Sequence, residues 1–211
     1  MQEIITFDGT AGSGKGTIAK AIAKHYDLKY LDTGRLYRAL ASLIITNNCV
    51  DNFITKLESL TINITEDLLA NPVLYNEDIG AFASIIAANA SVRKALYNFQ
   101  IEFINNHQGC VLDGRDTGSV IAPQAKFKFY VDADIEIRAN RRYMQNKTYY
   151  DQNKIMIADL RLKMAQRDEQ DKNREIAPLI IATGAEIIDN SEDDLVAIIK
   201  KVIDVIDFRS N

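Results

Sequence analysis

Apolar and polar positions along this chain alternate between two periods, and the alternation predicts strands and helices in turn. Ile4 to Asp8 is a short apolar run closed by a glycine, which reads as a buried strand. Ile18, Ala19, Ile22 and Ala23 then recur at helical spacing and place an amphipathic helix over Lys15 to His25. Leu28 to Leu31 reads as a second strand and Thr33 to Ile45 as a second helix. Cys110 to Asp113 and Lys126 to Asp132 predict two further core strands. Two charged helices follow, Ile135 to Lys147 and Lys154 to Asp171, and Glu186 to Asp189 is a last strand. This order favours an α/β fold with a mainly parallel sheet.

The stretch 51–108 breaks the alternation. It holds a strand candidate, Thr61 to Thr65, and helical patterns over Asp78 to Ala88 and Ser91 to Asn105. It is long enough to project from the sheet as a small subdomain. Near the end, Ser191, Glu192, Asp193 and Asp194 precede Leu195, Ile198, Ile199, Val202 and Ile206. They read as an N-cap followed by acids that favour a helix dipole, with no chemistry implied.

With 211 residues the chain suits one compact domain carrying an insert. A formal net charge of −4 argues against general nucleic-acid binding, though a local arginine cluster can still hold a small anion. Cys49 and Cys110 lie far apart, form no CxxC pair and have no nearby His that would make a metal site, so they read as buried free thiols. No apolar run approaches the ~18–20 residues that span a bilayer, and Met1 to Asp8 does not resemble a secretory signal. The expectation is a cytoplasmic protein with no membrane partner, acting as a monomer.

Chemistry enters at GTAGSGKGT, the run Gly9, Thr10, Ala11, Gly12, Ser13, Gly14, Lys15, Gly16 and Thr17. It lies directly after the first strand and before the first helix. Glycines let the backbone curl so that successive N–H groups face phosphate oxygens, and the helix N-terminus adds its own. Lys15 reaches the outer phosphates as a mobile charge. The spacing and the flanking elements agree on an ATP-type loop. Its usual ending places Ser or Thr after the lysine; here Gly16 intervenes and the hydroxyl arrives at Thr17. That ending fits small-molecule kinases. A GTPase would also want N-K-x-D, and Asn146-Lys147-Thr148-Tyr149 lacks the Asp and falls in a predicted helix.

Three downstream blocks are more specific. YLDTGRLYRAL (Tyr30 to Leu40), DGRDTGSVIAP (Asp113 to Pro123) and QRDEQDKNREIAPL (Gln166 to Leu179) occur in this order behind the loop. Together they resemble the bacterial cytidylate kinases. The resemblance implies a P-loop NTPase-type three-layer fold around a parallel sheet, with the core over about 1–47, 109–137 and 175–211. An insert that binds the nucleoside monophosphate would cover about 48–108, and a helical lid about 138–174. It implies transfer of the γ-phosphoryl group of ATP to CMP and dCMP, with Mg²⁺ held by the ATP phosphates rather than directly by the protein.

The resemblance also distributes roles. Tyr37 and Arg38 would hold the acceptor phosphate together with Arg115 and Arg174, within a block that includes Asp113. Thr33 would cap the second helix or meet the acceptor. Ser84, Arg93 and Asp116 would read cytosine. A carboxylate accepts from its exocyclic amine, and against the carbonyl of uracil it would face acceptor with acceptor, a mismatch of about 1–3 kcal/mol. Arg167 and Asp171 would meet the ribose. Arg138, Arg141 and Arg142 would lie in the lid, with Arg142 first in line to touch the transferring phosphoryl beside Lys15, Arg138 and Arg115. Taken alone these residues also read as helix packing, a surface ion pair or a solvated basic face.

Two departures stand out. The insert is shorter than the resemblance suggests, and LLANPVLYNEDIGAF (Leu68 to Phe82) lacks the expected Ile-Arg-[Thr/Ser] stretch. Arg35 occupies a place where a small residue is usual, where it either adds charge near the acceptor or faces solvent. The rivals are kinases for UMP, AMP or shikimate, an ATP-binding switch, and a nucleic-acid-end kinase.

Overall fold

The computed structural model describes residues 3–191 and 194–210. Five strands, β1 (Glu3–Gly9), β2 (Lys29–Asp32), β3 (Gly109–Gly114), β4 (Phe127–Asp132) and β5 (Glu186–Asp189), form one sheet in the order β2-β3-β1-β4-β5. Every pairing is parallel.

Alternating side chains on each strand divide the core into two layers. Ile5 and Phe7 of β1, Val111 of β3 and Phe129 of β4 face α1 (Lys15–His25) and, at the far end of the chain, a helix over Leu195–Ser210. Ile4, Leu31, Cys110 and Leu112 face α2 (Thr33–Thr46) and the helices of the middle segment. Ile18 and Ile22 of α1 are fully buried, and burying one such side chain contributes about 1.5–3 kcal/mol. Both cysteines are free and buried.

The middle segment contributes α3 (Leu57–Ile62), α4 (Glu66–Ala70), α5 (Glu77–Ile86) and α6 (Ala90–Asn105). The strand expected at Thr61 to Thr65 is not formed. Leu57, Leu60 and Ile64 follow the three-to-four spacing of a buried helical face, whereas Ile62 is 75% exposed. Thr65 instead caps α4, accepting from the Leu68 N–H at 3.2 Å. The alternation of Thr and Ile imitated a strand, but packing against α2 and α6 selected the helical period.

A third cluster, Ala139, Tyr150, Leu160 and Met164, joins α7 (Ile135–Gln145), α8 (Lys147–Gln152) and α9 (Ile157–Asn173). The charged stretch expected as two helices is therefore three, and Asn146 is the break between α7 and α8. At α10 (Leu195–Ser210), Asp194 accepts from the Ala197 N–H at 2.9 Å. Ser191 is not the cap; it donates to Asp189 at 2.5 Å. Glu192 and Asp193, expected as dipole acids, lie outside the described residues.

All five strands carry an aspartate at or next to their C-terminal end: Asp8, Asp32, Asp113, Asp132 and Asp189. Each fastens the loop that follows it or a neighbouring loop. Asp8 accepts from the backbone of Thr117 and Gly118 at 2.8 and 2.7 Å. Asp32 caps α2 through the Arg35 N–H at 3.1 Å; Thr33, expected as that cap, donates instead to the Asp113 carbonyl at 2.9 Å. After β1 the chain turns to one face through α1. After β3 it turns to the other through a single wide turn at Thr117–Ile121. The two exits diverge above adjacent strands, which opens a crevice at the carboxyl edge of the sheet.

Candidate active site

The Gly9–Thr17 loop is shaped from three sides. The Thr10 hydroxyl donates to Asp132 at 2.5 Å. The Ala11 N–H reaches Asp168 at 3.3 Å, and the Ala11 carbonyl accepts from Arg138 at 3.0 Å. On the third side Asn190 donates to the Ser13 carbonyl at 2.7 Å. Gly14 then opens α1, whose first N–H groups point into the loop.

Lys15 folds back under this loop. Its Nζ donates to the Thr10 carbonyl at 3.2 Å and stands 3.9 Å from Asp113. Burial, together with the positive charge of Arg115, lowers its pKa to about 8, against the pull of Asp113 and Asp32. Asp113 also accepts from the Tyr30 hydroxyl at 3.0 Å, and burial raises its pKa. Burial likewise raises Asp8, to about 6.

Gly16, the residue that displaces the usual hydroxyl, now has a steric reason. A Cβ at this position would stand 2.7 Å from Asp113 Oδ2, closer than real Cβ atoms come. The carboxylate that faces Lys15 occupies the space a serine there would need.

The arginine blocks meet in one network. Asp171 accepts from Arg115 Nε at 2.9 Å and from the Ser84 hydroxyl at 3.3 Å, with Arg174 4.0 Å away. Arg174 reaches Asp116 at 3.4 Å. Asp116 forms a buried ion pair with Arg93. The Arg93 guanidinium lies over the Tyr37 ring, 5.7 Å from its centroid, and also donates to the Ala87 carbonyl at 3.3 Å. Burial alone would raise Asp171, but Arg115, Arg167 and Arg174 surround it and hold it below the ordinary carboxylate range. At Asp116 burial prevails and the pKa is raised, although Arg93 and Arg174 oppose it. The charges of Arg115 and Arg167 both lower the pKa of Lys15 and of Asp171.

Other expected residues stand elsewhere. Arg38 donates through Nη1 to the carbonyls of Leu74 and Asn76 at 2.7 and 3.1 Å, and its guanidinium packs on Gly80. Arg142 donates to the Tyr75 carbonyl at 3.3 Å, and Arg35 stacks on the Tyr75 ring 4.8 Å from its centroid. Arg138 is buried rather than solvated, and Arg141 donates to the Asn190 carbonyl at 2.7 Å. Of these three arginines, Arg138 thus meets the Gly9–Thr17 loop, Arg141 the segment after β5 and Arg142 the middle segment.

Sequence reasoning missed Asp8, Tyr30, Asp132, Asp168 and Asn190. A signal for Asp8 and Asp132 was present, because each closes an apolar run, as Asp32, Asp113 and Asp189 do. Asp168 lies beside Arg167 within the Gln166 to Leu179 stretch, where nothing local distinguishes it from a surface acid. A groove of about 710 Å³ between β5 and α10, bordered by Glu186, Lys200 and Phe208, shares no residue with either half of the site.

The profile of the family described as cytidylate kinase matches residues 5–207. The chain is 39% identical over 206 residues to a cytidylate kinase of Bradyrhizobium diazoefficiens, covering 97% of this chain and 95% of that one. It is 38% identical over 206 residues to a cytidylate kinase of Afipia carboxidovorans, covering 97% of each. Among solved structures, shikimate kinase from Bacteroides thetaiotaomicron superposes with a TM-score of 0.52 over the full length of both chains at 13% identity. TT1252 from Thermus thermophilus gives 0.53 at 15% identity, over 97% of this chain and 96% of that one. The structural likenesses speak to the fold. On the profile and the sequence relatives, the chain belongs to the cytidylate kinase family.

Proposed function

We propose that this chain transfers the γ-phosphoryl group of ATP to CMP and dCMP, giving ADP and the nucleoside diphosphate. The observation that carries the reading is the pairing of a phosphate loop with a second, arginine-rich site across one crevice. A switch protein has use for the first alone. We assign the core to about 1–47, 109–137 and 175–211, the acceptor insert to about 48–108 and the lid to about 138–174.

Phosphoryl transfer asks for alignment, charge neutralisation and exclusion of water. The Gly9–Thr17 loop holds the ATP phosphates through its backbone, and Lys15 neutralises charge as it spreads. Arg115 and Arg174 exchange part of their hold on Asp171 and Asp116 for the acceptor phosphate, which suits the paired donors of a guanidinium. Arg38 joins them by exchanging part of its hold on the Leu74 and Asn76 carbonyls, while Tyr37 supports Arg93 from below. Arg93, Asp116 and Ser84 read the cytosine edge; Arg167 and Asp171 hold the ribose. Thr33 fixes the Asp113 backbone beside them. Arg142 closes over the phosphoryl from α7, and Arg138 contributes its charge from beneath Ala11.

Magnesium, when bound with ATP, neutralises phosphate charge. Asp113, whose carboxylate stands 3.9 Å from Lys15 of the loop, is an oxygen donor that would suit the water shell of such a hard cation. Among the described residues no cluster of three or more His, Cys, Asp or Glu could hold a metal directly. Nor is any described helix long and apolar enough to cross a membrane. We place the action of the protein in the cytoplasm.

A coupled assay of ADP release across CMP, dCMP, UMP, AMP and shikimate tests the reading. CMP and dCMP should turn over fastest. A clear preference for UMP would overturn the base-recognition assignment, and no turnover with any acceptor would overturn the kinase reading.

A further inference from the structure

The geometry points to Asp168 as a positioning residue for the phosphate loop. Asp168 lies on α9 and is 5% exposed. Its Oδ1 accepts from the Ala11 N–H at 3.3 Å, and its Oδ2 accepts from Arg138 Nη1 at 2.5 Å. The same Nη1 donates to the Ala11 carbonyl at 3.0 Å, and Arg138 Nε donates to the Ala133 carbonyl at 2.8 Å. Both polar groups of Ala11 are therefore held by one buried ion pair. Next to it, Met164 of α9 closes on Gly12, where a Cβ would stand 2.9 Å from Met164 Cε.

This arrangement has a consequence for binding. The loop works by aiming N–H groups at phosphate oxygens, so its affinity depends on how each peptide plane is turned. The Ala11 N–H is committed to Asp168, which fixes the plane between Ala11 and its neighbour Thr10. The Ala11 carbonyl, committed to Arg138, fixes the plane that leads into Gly12. A carboxylate 157 residues away in sequence sets the entrance of the loop before nucleotide arrives. Asp168 has no need to touch ATP. It acts through Ala11 and Arg138, and its removal leaves the buried Arg138 guanidinium facing Asp132, 3.9 Å from its Nε, in place of a close carboxylate.

The inference rests on the loop being the ATP site, and the experiment separates the two. ADP affinity is measured by calorimetry on the full chain for wild type, Lys15→Ala, Asp168→Asn and Asp168→Ala. KM for ATP, KM for CMP and kcat are measured well below each melting temperature. Lys15→Ala tests the loop reading alone: undiminished ADP binding in that variant overturns it, and the inference with it. If the loop reading holds, Asp168→Ala should weaken ADP and raise KM for ATP about tenfold, one charge-assisted hydrogen bond. KM for CMP should stay within about twofold. Asp168→Asn keeps an oxygen for Ala11 in the same volume and should recover part of the loss. A lowered melting temperature with ADP affinity and KM for ATP unchanged in both variants would make Asp168 merely structural and overturn the inference. Equal losses for ATP and CMP would overturn it as well.

Discussion

On the proposed function the Gly9–Thr17 loop and the arginine network both hold phosphate, the first as donor site and the second as acceptor site, yet they are stabilised in opposite ways. The loop is one contiguous run; its backbone groups are fastened by side chains from α7, α9 and the segment after β5, and its Thr10 hydroxyl by Asp132 of β4. Its binding groups are therefore already aimed. The acceptor network is assembled from α5, α6, the end of β3 and α9, and its arginines are neutralised by Asp116 and Asp171. There the incoming phosphate competes with protein carboxylates. On this reading one half is held in place by neighbouring side chains before nucleotide arrives; the other is satisfied and must exchange partners.

The largest expected effect tests the donor half. Lys15→Ala should lower kcat on the order of a hundredfold or more with the melting temperature little changed. Near-normal turnover would remove the lysine from the mechanism. Asp116→Asn should reach the other half. It should lower kcat/KM for CMP about ten- to hundredfold and narrow the gap between CMP and UMP, with KM for ATP little affected. An equal loss for ATP would show that the two halves are not separable in this way.

Gly16→Ser restores the hydroxyl of the commoner loop ending, and here it should be harmful. The added Cβ meets Asp113, so a stability loss of about 1–3 kcal/mol and a raised KM for ATP are expected, read by melting and steady-state kinetics. A neutral result would mean that Asp113 moves aside easily. A pH series is gentler. Lys15 must be protonated to hold phosphate, and its lowered pKa of about 8 means that charge is lost as pH rises through that value. Thus kcat/KM for ATP should decline above about pH 8, while the limb in kcat moves higher because bound phosphate favours the ammonium. The smallest effect serves as a baseline: Arg209→Ala breaks an exposed pair with Glu186 and should change stability by less than about 1 kcal/mol and kinetics not at all.

The same contrast explains what the sequence revealed. The loop was readable because strand, glycines, lysine and helix follow one another without interruption. The core strands were readable because apolar runs ended at turns, and the structure moves their boundaries by only a residue or so. The arginine network was not readable from pattern at all. Ser84, Arg93 and Asp116 carry no local mark of their association, and the family resemblance alone placed them together. Thr61 to Thr65 misled because a few alternating residues fit a strand until a neighbouring helix decides the period. Asp168 was overlooked because its partners, Ala11 and Arg138, are distant in the chain, and burial is what gives its charge meaning.

The aspartates at the strand ends limit how this fold can vary. A strand advances about 3.3 Å per residue and alternates faces. Inserting or deleting one residue within β1, β2, β3, β4 or β5 would carry the carboxylate away from the crevice and turn it to the opposite layer. Strand length is therefore set by the loops the carboxylates must reach, and not only by the packing of the sheet. Length changes should be tolerated in the connections at the opposite edge, such as the turn around Asp27 between α1 and β2, and selected against within the strands themselves. An insertion scan read by folding yield would appear as five short intolerant stretches, each ending at an aspartate.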